Sequence, residues 1–164
     1  MKTEQENITE ILNAIPDPEI PVLTINDLGI VREINIISAG RSVEVRITPT
    51  YSGCPAMDMI ATNIKVALLK NGYKDVIVSK ILSPVWTTDW MTESGRQKLK
   101  SYGIAPPGIR NRDASVLFAE AVPVQCPQCN STNTTLISEF GSTACKSLYK
   151  CNECGEPFDH FKCH

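Results

Sequence analysis

The sequence predicts an α/β (α+β) protein: a small sandwich in the order helix–strand–strand–helix–strand–helix, followed by a short cysteine-rich module. Two segments carry apolar residues at helical spacing, and another alternates between apolar and polar residues. Of the seven cysteines only Cys54 precedes residue 126. The segment 126–164 is too short to bury a core of its own, so it needs disulfides or a metal.

The first half of the sandwich follows from periodicity and turn residues. A helix is predicted over residues 4–15, where isoleucine and leucine recur at helical spacing, and Pro16 ends it. Residues 29–37 and 42–48 are predicted strands with a turn at Gly40 between them. The second strand alternates valine and isoleucine with polar residues, which predicts one buried face and one solvated face.

The second half continues with a helix over residues 56–71, which has an apolar face and ends at Gly72. A strand is predicted over 75–82, and a last helix over 89–102 ends at Gly103. The chain therefore divides into an α/β domain over 1–103, a connector over 104–125 and the cysteine-rich module over 126–164.

Composition excludes several classes of protein. Apolar residues make up 42% of the chain, charged residues 21%, and the net charge is −2, as in ordinary globular proteins. No apolar run approaches the ~18 residues of a membrane span, and the polar N-terminal segment does not resemble a signal peptide. We expect no membrane association and a cytoplasmic location, where paired cysteines favour metal binding over disulfides.

Two Cys-x-x-Cys pairs lie 21 residues apart in the module and supply four thiols: Cys126, Cys129, Cys151 and Cys154. This spacing predicts a tetrahedral zinc site in a zinc ribbon. Asn130 and Gly155 follow the two pairs, and both residue types tolerate the left-handed backbone of a tight metal-binding turn. A rubredoxin-like iron, an iron–sulfur cluster or redox disulfides remain alternatives at this point.

The module also contains four further residues of ligand type: Cys145, His160, Cys163 and His164. They are possible extra ligands, in a second or alternative set. The simpler interpretation is that Cys145 packs against the ribbon as a small apolar residue and that the C-terminal pair is exposed.

Cys54 lies in a Gly-Cys-Pro turn at the predicted start of the second helix. The N–H groups and partial positive charge there are expected to lower its pKa and favour a nucleophile or soft-metal ligand. Thr48 and Thr50 are candidates to line a polar pocket beside it, and Asp17 and Glu19 could bring carboxylates near. The alternative is an inert core cysteine. Both histidines lie in the tail, which argues against a Cys–His hydrolase in this domain.

Two segments, DPEIPVLTINDLGIV and TPTYSGCP, resemble the iron–sulfur assembly domain of SufT-type proteins over about residues 7–103. With WTTDWMTESGRQKLKSYGIAPP and a tail running from CPQC to FDHFKCH, nearly the whole chain resembles the PaaD (PaaJ) family. Members of that family are small accessory subunits encoded with the phenylacetyl-CoA epoxidase of phenylacetate catabolism.

The resemblance implies a non-catalytic protein that assists metal-centre assembly in the epoxidase system. Its partners would be the other components, especially the reductase that carries an iron–sulfur cluster. Cys54 matches the family's reactive cysteine, which would handle iron or a cluster transiently. Asp17 and Glu19 match the DPE signature, and the two Cys-x-x-Cys pairs match the zinc ligands.

Two other functions remain open from the sequence. One is a thiol redox protein that uses Cys54 with a resolving cysteine from the tail, and the other is a zinc-ribbon interaction module without metal transfer. Nucleic-acid binding is not expected, because residues 124–164 hold three lysines against four acidic residues. Trp86 and Trp90 would allow a homodimer.

Overall fold

The computed structural model describes residues 2–38, 42–108 and 123–162. The chain forms two compact units that divide between Gly95 and Arg96. The helices and strands are, in order, α1 (Glu4–Asn13), β1 (Val31–Ser38), β2 (Ser42–Ile47), α2 (Ala56–Lys70), β3 (Asp75–Lys80), a 3₁₀ turn (Thr88–Trp90), α3 (Glu93–Tyr102), β4 (Ile104–Ala105), β5 (Thr134–Ser138), β6 (Lys146–Cys151) and β7 (Pro157–Phe161).

The first unit contains a three-stranded sheet in the order β1-β2-β3. β1 runs antiparallel to β2, while β3 runs parallel to it, because α2 carries the chain back between them. Val43, Val45 and Ile47 of β2 are fully buried, as the alternation predicts. Helix α1 starts at a capping box between Thr3 and Glu6 and buries Ile8 and Leu12.

The parallel strands β2 and β3 have their carboxyl ends at the same end of the sheet. Ile47 pairs with Lys80, and the N–H of Ile81 donates to the carbonyl oxygen of Ile47 over 2.9 Å. Lys80 also forms an ion pair with Asp58 in the first turn of α2, at 2.5 Å. The loop that carries Cys54 therefore leaves β2 at this end of the sheet and enters α2 there.

The second unit contains a four-stranded sheet in the order β4-β7-β6-β5. β5, β6 and β7 are antiparallel, and the short β4 runs parallel to β7. Its small core consists of Ala105, Cys126, Cys151 and Phe158, with Val124 and Tyr149 packed against it. The mixed α+β fold is thus confirmed.

Three details differ from the expectations, beyond shifts of one or two residues at the ends of α1, β1, β2, α2 and β3. Helix α3 begins at Glu93 rather than residue 89, because Thr92 turns toward the loop before β1: its Oγ1 donates to Asp27 and accepts the N–H of Gly95. Strand β4 lies in the predicted connector, and β7 was not predicted. Within the described ranges, no helix is long and apolar enough to cross a bilayer.

Candidate metal centre and reactive cysteine

The two Cys-x-x-Cys turns face each other at one end of the β5–β6 hairpin. Each turn is closed by a backbone bond, from Asn130 N–H to Cys126 O over 2.9 Å and from Gly155 N–H to Cys151 O over 3.0 Å. Asn130 and Gly155 have φ angles of 62° and 77°, so the left-handed conformations expected at both positions are present.

The four sulfurs come together in a compact group. They all lie within 4.8 Å of one another, with Cys126 Sγ 3.8 Å from Cys154 Sγ and Cys129 Sγ 3.5 Å from Cys151 Sγ. Four thiolates about 2.3 Å from a zinc ion would be about 3.8 Å apart in a tetrahedron. One cysteine of each pair is buried and the other is exposed. The donor set and its geometry fit a closed structural zinc site.

The pKa values of the clustered thiols are also consistent with the binding of a divalent cation. The backbone N–H of Cys154 is the main cause that lowers the pKa of Cys151 to about 7. At Cys154 the N–H of Glu156 lowers the pKa, but partial loss of solvent around the sulfur and the three neighbouring sulfurs outweigh it and raise the pKa to about 12. Thiols this close resist joint ionisation without a cation, and bound zinc would supply the compensating charge.

The other candidate ligands of the module occupy different places. Cys145 is buried just before β6, six residues ahead of Cys151 and therefore roughly 20 Å along the strand from the cluster. Its Sγ lies 3.0 Å from Thr143 Oγ1. His160 pairs with Ser147 across β6 and β7 and stacks edge-on against Tyr149. Cys163 and His164 lie outside the described residues.

Cys54 is half-buried in the loop that leads into α2. Its N–H donates to Tyr51 O and its carbonyl oxygen accepts from Met57 N–H, both at 3.3 Å. Gly53 has a φ of 79°, which permits the turn directly before the cysteine. Pro55 occupies the N-cap position with helical angles, so the thiol stands at the first turn of the helix.

The expected lowering of the Cys54 pKa is wrong. Burial raises the pKa of this thiol above its ordinary value near 9, and the carboxylates of Glu19 and Asp17 raise it further. The Ala56 N–H and the Tyr51 hydroxyl donate to the sulfur and act in the opposite direction, but burial is the larger effect. The packing around Cys54 therefore favours the protonated form of its thiol.

The residues predicted around Cys54 have different local roles. The carboxylate of Asp17 is buried and accepts the N–H groups of Glu19 and Ile20 at 2.9 and 2.8 Å, which fixes the turn after Pro16. Thr48 is 1% exposed, and its Oγ1 has no hydrogen-bond partner among the described residues. Thr50 is half-buried in the same loop.

One feature near the four-cysteine cluster is not predicted by the sequence. Asn133 and Asn152, which lie far apart in the sequence, meet through hydrogen bonds beside the cysteine cluster. Their meeting depends on the register of β5 against β6, and no local motif in either segment indicates it.

Comparison with known proteins finds a matching family for each of the two units. Residues 110–162 match the PaaD zinc beta ribbon domain and residues 5–79 match the iron–sulfur cluster assembly protein family. Over 156 residues the chain is 52% identical to an Escherichia coli K12 protein named as a subunit of a "Putative 1,2-phenylacetyl-CoA epoxidase", covering 95% of this chain and 91% of that protein. The chain belongs to the PaaD family.

More distant relatives match a little over half of this PaaD-family protein. An Fe-S protein maturation auxiliary factor of Porphyromonas gingivalis is 32% identical over 96 residues, which cover 58% of this chain and 90% of that protein. A conserved hypothetical protein of Thermotoga maritima is 30% identical with a TM-score of 0.50, covering 60% of this chain and 95% of that structure. A domain of unknown function from Bacillus anthracis, 23% identical, matches the fold with a TM-score of 0.55 over 58% of this chain and 91% of that structure.

These similarities support an accessory role for the protein. The zinc ribbon match and the four adjacent sulfurs together support zinc binding in the second unit. The two units therefore carry different chemistry: a closed four-cysteine cluster in one and a single half-buried thiol in the other.

Proposed function

We propose that this protein is a cytoplasmic maturation factor of the phenylacetyl-CoA epoxidase system. Cys54 holds iron or an iron–sulfur cluster transiently, while the ribbon keeps its zinc and has a structural task. The observation that carries the proposal is the position of Cys54: a half-buried thiol at the start of α2, in a unit that matches iron–sulfur assembly proteins.

The surroundings of Cys54 favour reversible binding. When Fe(II) binds, the thiol releases its proton to solvent, and the Ala56 N–H and Tyr51 hydroxyl stabilise the resulting thiolate. The nearby carboxylates of Glu19 and Asp17 raise the thiol's pKa, and the same negative charge attracts a cation. Because burial holds the pKa of Cys54 up, protonation competes with the metal. On transfer, a client thiolate replaces Cys54, which takes a proton back, and no electrons are exchanged.

The client is proposed from the relatives. The Escherichia coli relative is named as an epoxidase subunit, and the Porphyromonas gingivalis relative as an iron–sulfur maturation factor. Together these names favour a client within the epoxidase system, and the reductase with its iron–sulfur cluster is the candidate. Thr48 and Thr50 are still predicted to line a polar pocket beside the thiol. Homodimer formation also remains a prediction.

A thiol oxidoreductase is less well supported. Burial raises the pKa of Cys54 and so lowers the fraction of reactive thiolate at neutral pH. Cys54 is also the single cysteine of residues 1–125, so a resolving thiol would have to come from the tail or from another molecule.

The proposal is tested by producing the reductase anaerobically with either the wild-type protein or Cys54→Ser. Iron and sulfide per reductase are then measured, together with epoxidation. We expect Cys54→Ser to fold normally and to leave the reductase deficient in cluster. Cys145→Ser is the control, because it alters a buried thiol in the other unit. Unchanged cluster content and epoxidation with Cys54→Ser would contradict the role of the thiol.

A further inference from the structure

Asn152 links the second Cys-x-x-Cys turn to the strand that follows the first. It lies directly after Cys151, and its Nδ2 donates to Asn133 Oδ1 over 2.9 Å and to Thr135 Oγ1 over 3.0 Å. Its backbone N–H donates to Asn133 O, also over 2.9 Å. Both the main chain and the side chain of Asn152 are thus tied to the start of β5.

Asn133 extends the connection in both directions. Its Nδ2 donates to Glu153 Oε1 in the second turn over 2.8 Å. Its own N–H donates to Ser131 Oγ over 3.0 Å, and Ser131 O accepts the N–H of Cys126 over 2.9 Å. A continuous set of hydrogen bonds therefore runs from the first metal-binding turn through Asn133 to the second.

Apart from the contact with Thr135, these bonds lie beyond the regular β ladder. The pairing of β5 with β6 ends at Thr134 and Cys151, so the residues between Cys151 and Cys154 have no ladder partner. The bonds from Asn130 to Cys126 and from Gly155 to Cys151 close each turn on itself and do not join the two turns. The side chains of Asn133 and Asn152 supply such a cross-connection, in addition to the backbone bond from Asn152 N–H to Asn133 O.

We propose that Asn133, Asn152 and Glu153 form a polar clamp that positions the two Cys-x-x-Cys turns and slows metal release from the ribbon. Groups that orient metal ligands without touching the metal commonly change affinity by about 10–100-fold. The clamp acts in the same way, because it holds the second turn, and hence Cys151 and Cys154, against the first before metal arrives. This role is separate from the proposed role of Cys54.

If the clamp slows metal release, Asn152→Ala should release zinc faster than the wild type. The full-length zinc-loaded protein is mixed with an excess of a chromogenic zinc chelator, and release is followed for the wild type and Asn152→Ala. We expect release to be about tenfold faster in the variant, since the side-chain hydrogen bonds to both Asn133 and Thr135 are lost. Asn152 is exposed, so the substitution leaves the small core of the unit intact. Circular dichroism checks that the ribbon stays folded.

Ser138→Ala is the matched control. Ser138 lies in β5, the strand to which Asn152 is bonded, and its hydroxyl donates to Phe140 O over 2.8 Å at the end of β5 away from the cysteines. Its loss should leave zinc release unchanged. Thr135→Val removes one partner of Asn152, so it should give an intermediate release rate.

A second measurement separates positioning of the ligands from general weakening of the fold. The ribbon is loaded with cobalt(II), whose thiolate absorption bands report coordination geometry. Asn133→Ala and Asn152→Ala should each alter these bands, and the double variant should release metal no faster than the quicker single variant, because the residues act together. Wild-type release rates and spectra in both single variants, or independent additive effects, would overturn the proposal.

Discussion

Gly29 packs directly against the carbonyl oxygen of Trp90. A β-carbon at Gly29 would lie 2.3 Å from that oxygen, and the residue has a φ of 66°. Both facts require glycine: the backbone conformation disfavours other residues, and the space is already filled by the segment before α3. This contact fixes the loop before β1 against the chain that follows β3, around the end of the sheet where Cys54 lies.

Gly29→Ala should therefore destabilise the first unit by about 3–5 kcal/mol, the sum of left-handed strain and overpacking. Chemical denaturation measures the change. Gly72→Ala is the matched control, because Gly72 also has a positive φ but no atom lies within 4 Å of the place where a β-carbon would stand. It should lose only about 1 kcal/mol. Equal losses in the two variants would show that the Trp90 contact contributes nothing.

Thr48→Val tests whether the unpartnered hydroxyl beside the Cys54 loop has a structural task. Its Oγ1 is buried without a hydrogen-bond partner among the described residues, and valine has nearly the same shape. Removing a buried unsatisfied hydroxyl should leave stability unchanged or raise it by about 1 kcal/mol. A loss of more than about 1 kcal/mol on denaturation would mean that the hydroxyl is satisfied in solution.

His160 should make the second unit sensitive to acid. Burial, with a smaller contribution from Lys162, lowers the pKa of His160 to about 4 from an ordinary value of 6.5. Between pH 6.5 and about pH 4, His160 binds a proton in the unfolded chain but not in the folded chain. Stability is therefore full above pH 6.5 and falls as the pH drops toward 4.

The loss in the free energy of unfolding amounts to at most about 3.4 kcal/mol, for a shift of about 2.5 pKa units at 1.36 kcal/mol per unit. Thermal unfolding of the wild type and His160→Gln between about pH 7.5 and pH 5 checks this. Acid also removes zinc from thiolates in both proteins, so the informative quantity is the difference between the two pH profiles. Parallel profiles would show that His160 is accessible to protons in the folded state.

Much of the architecture was predictable because it rests on local patterns. The alternation in β2 and the apolar face of α2 each identify an element and its buried side, and the turns at Asn130 and Gly155 follow from residue type alone. Contacts between distant segments were not predictable. The start of α3 depends on Thr92 meeting Asp27, and β4 exists because Ile104 pairs with Asp159 in β7.

The candidate site divides in the same way. Ligand spacing identified the four-cysteine cluster, since zinc dictates both residue type and separation. The raised pKa of Cys54 was not foreseen, because a helix start lowers the pKa of a thiol while burial raises it. Only the packing around the residue decides which effect is larger. The polar clamp depends on strand register and has no local signature.

Removing zinc should unfold the second unit and leave the first intact. The core around Cys126 and Cys151 is small, so the metal supplies much of its folding free energy. After treatment with a strong chelator under reducing conditions, NMR amide signals of the β5, β6 and β7 strands should collapse to unfolded positions. Signals of β1, β2 and β3 should keep their dispersion. A ribbon that stays folded without metal would contradict a structural role for zinc.

The proposed role of Cys54 is tested most directly by metal and sulfide analysis of the protein purified without oxygen, comparing the wild type with Cys54→Ser. We expect about one zinc per chain in both proteins, from the four-cysteine cluster. Labile iron, with or without sulfide, is expected in the wild type only. Equal iron in the two proteins, or none in the wild type after reconstitution with iron and sulfide, would contradict the claim that Cys54 handles the transferred metal.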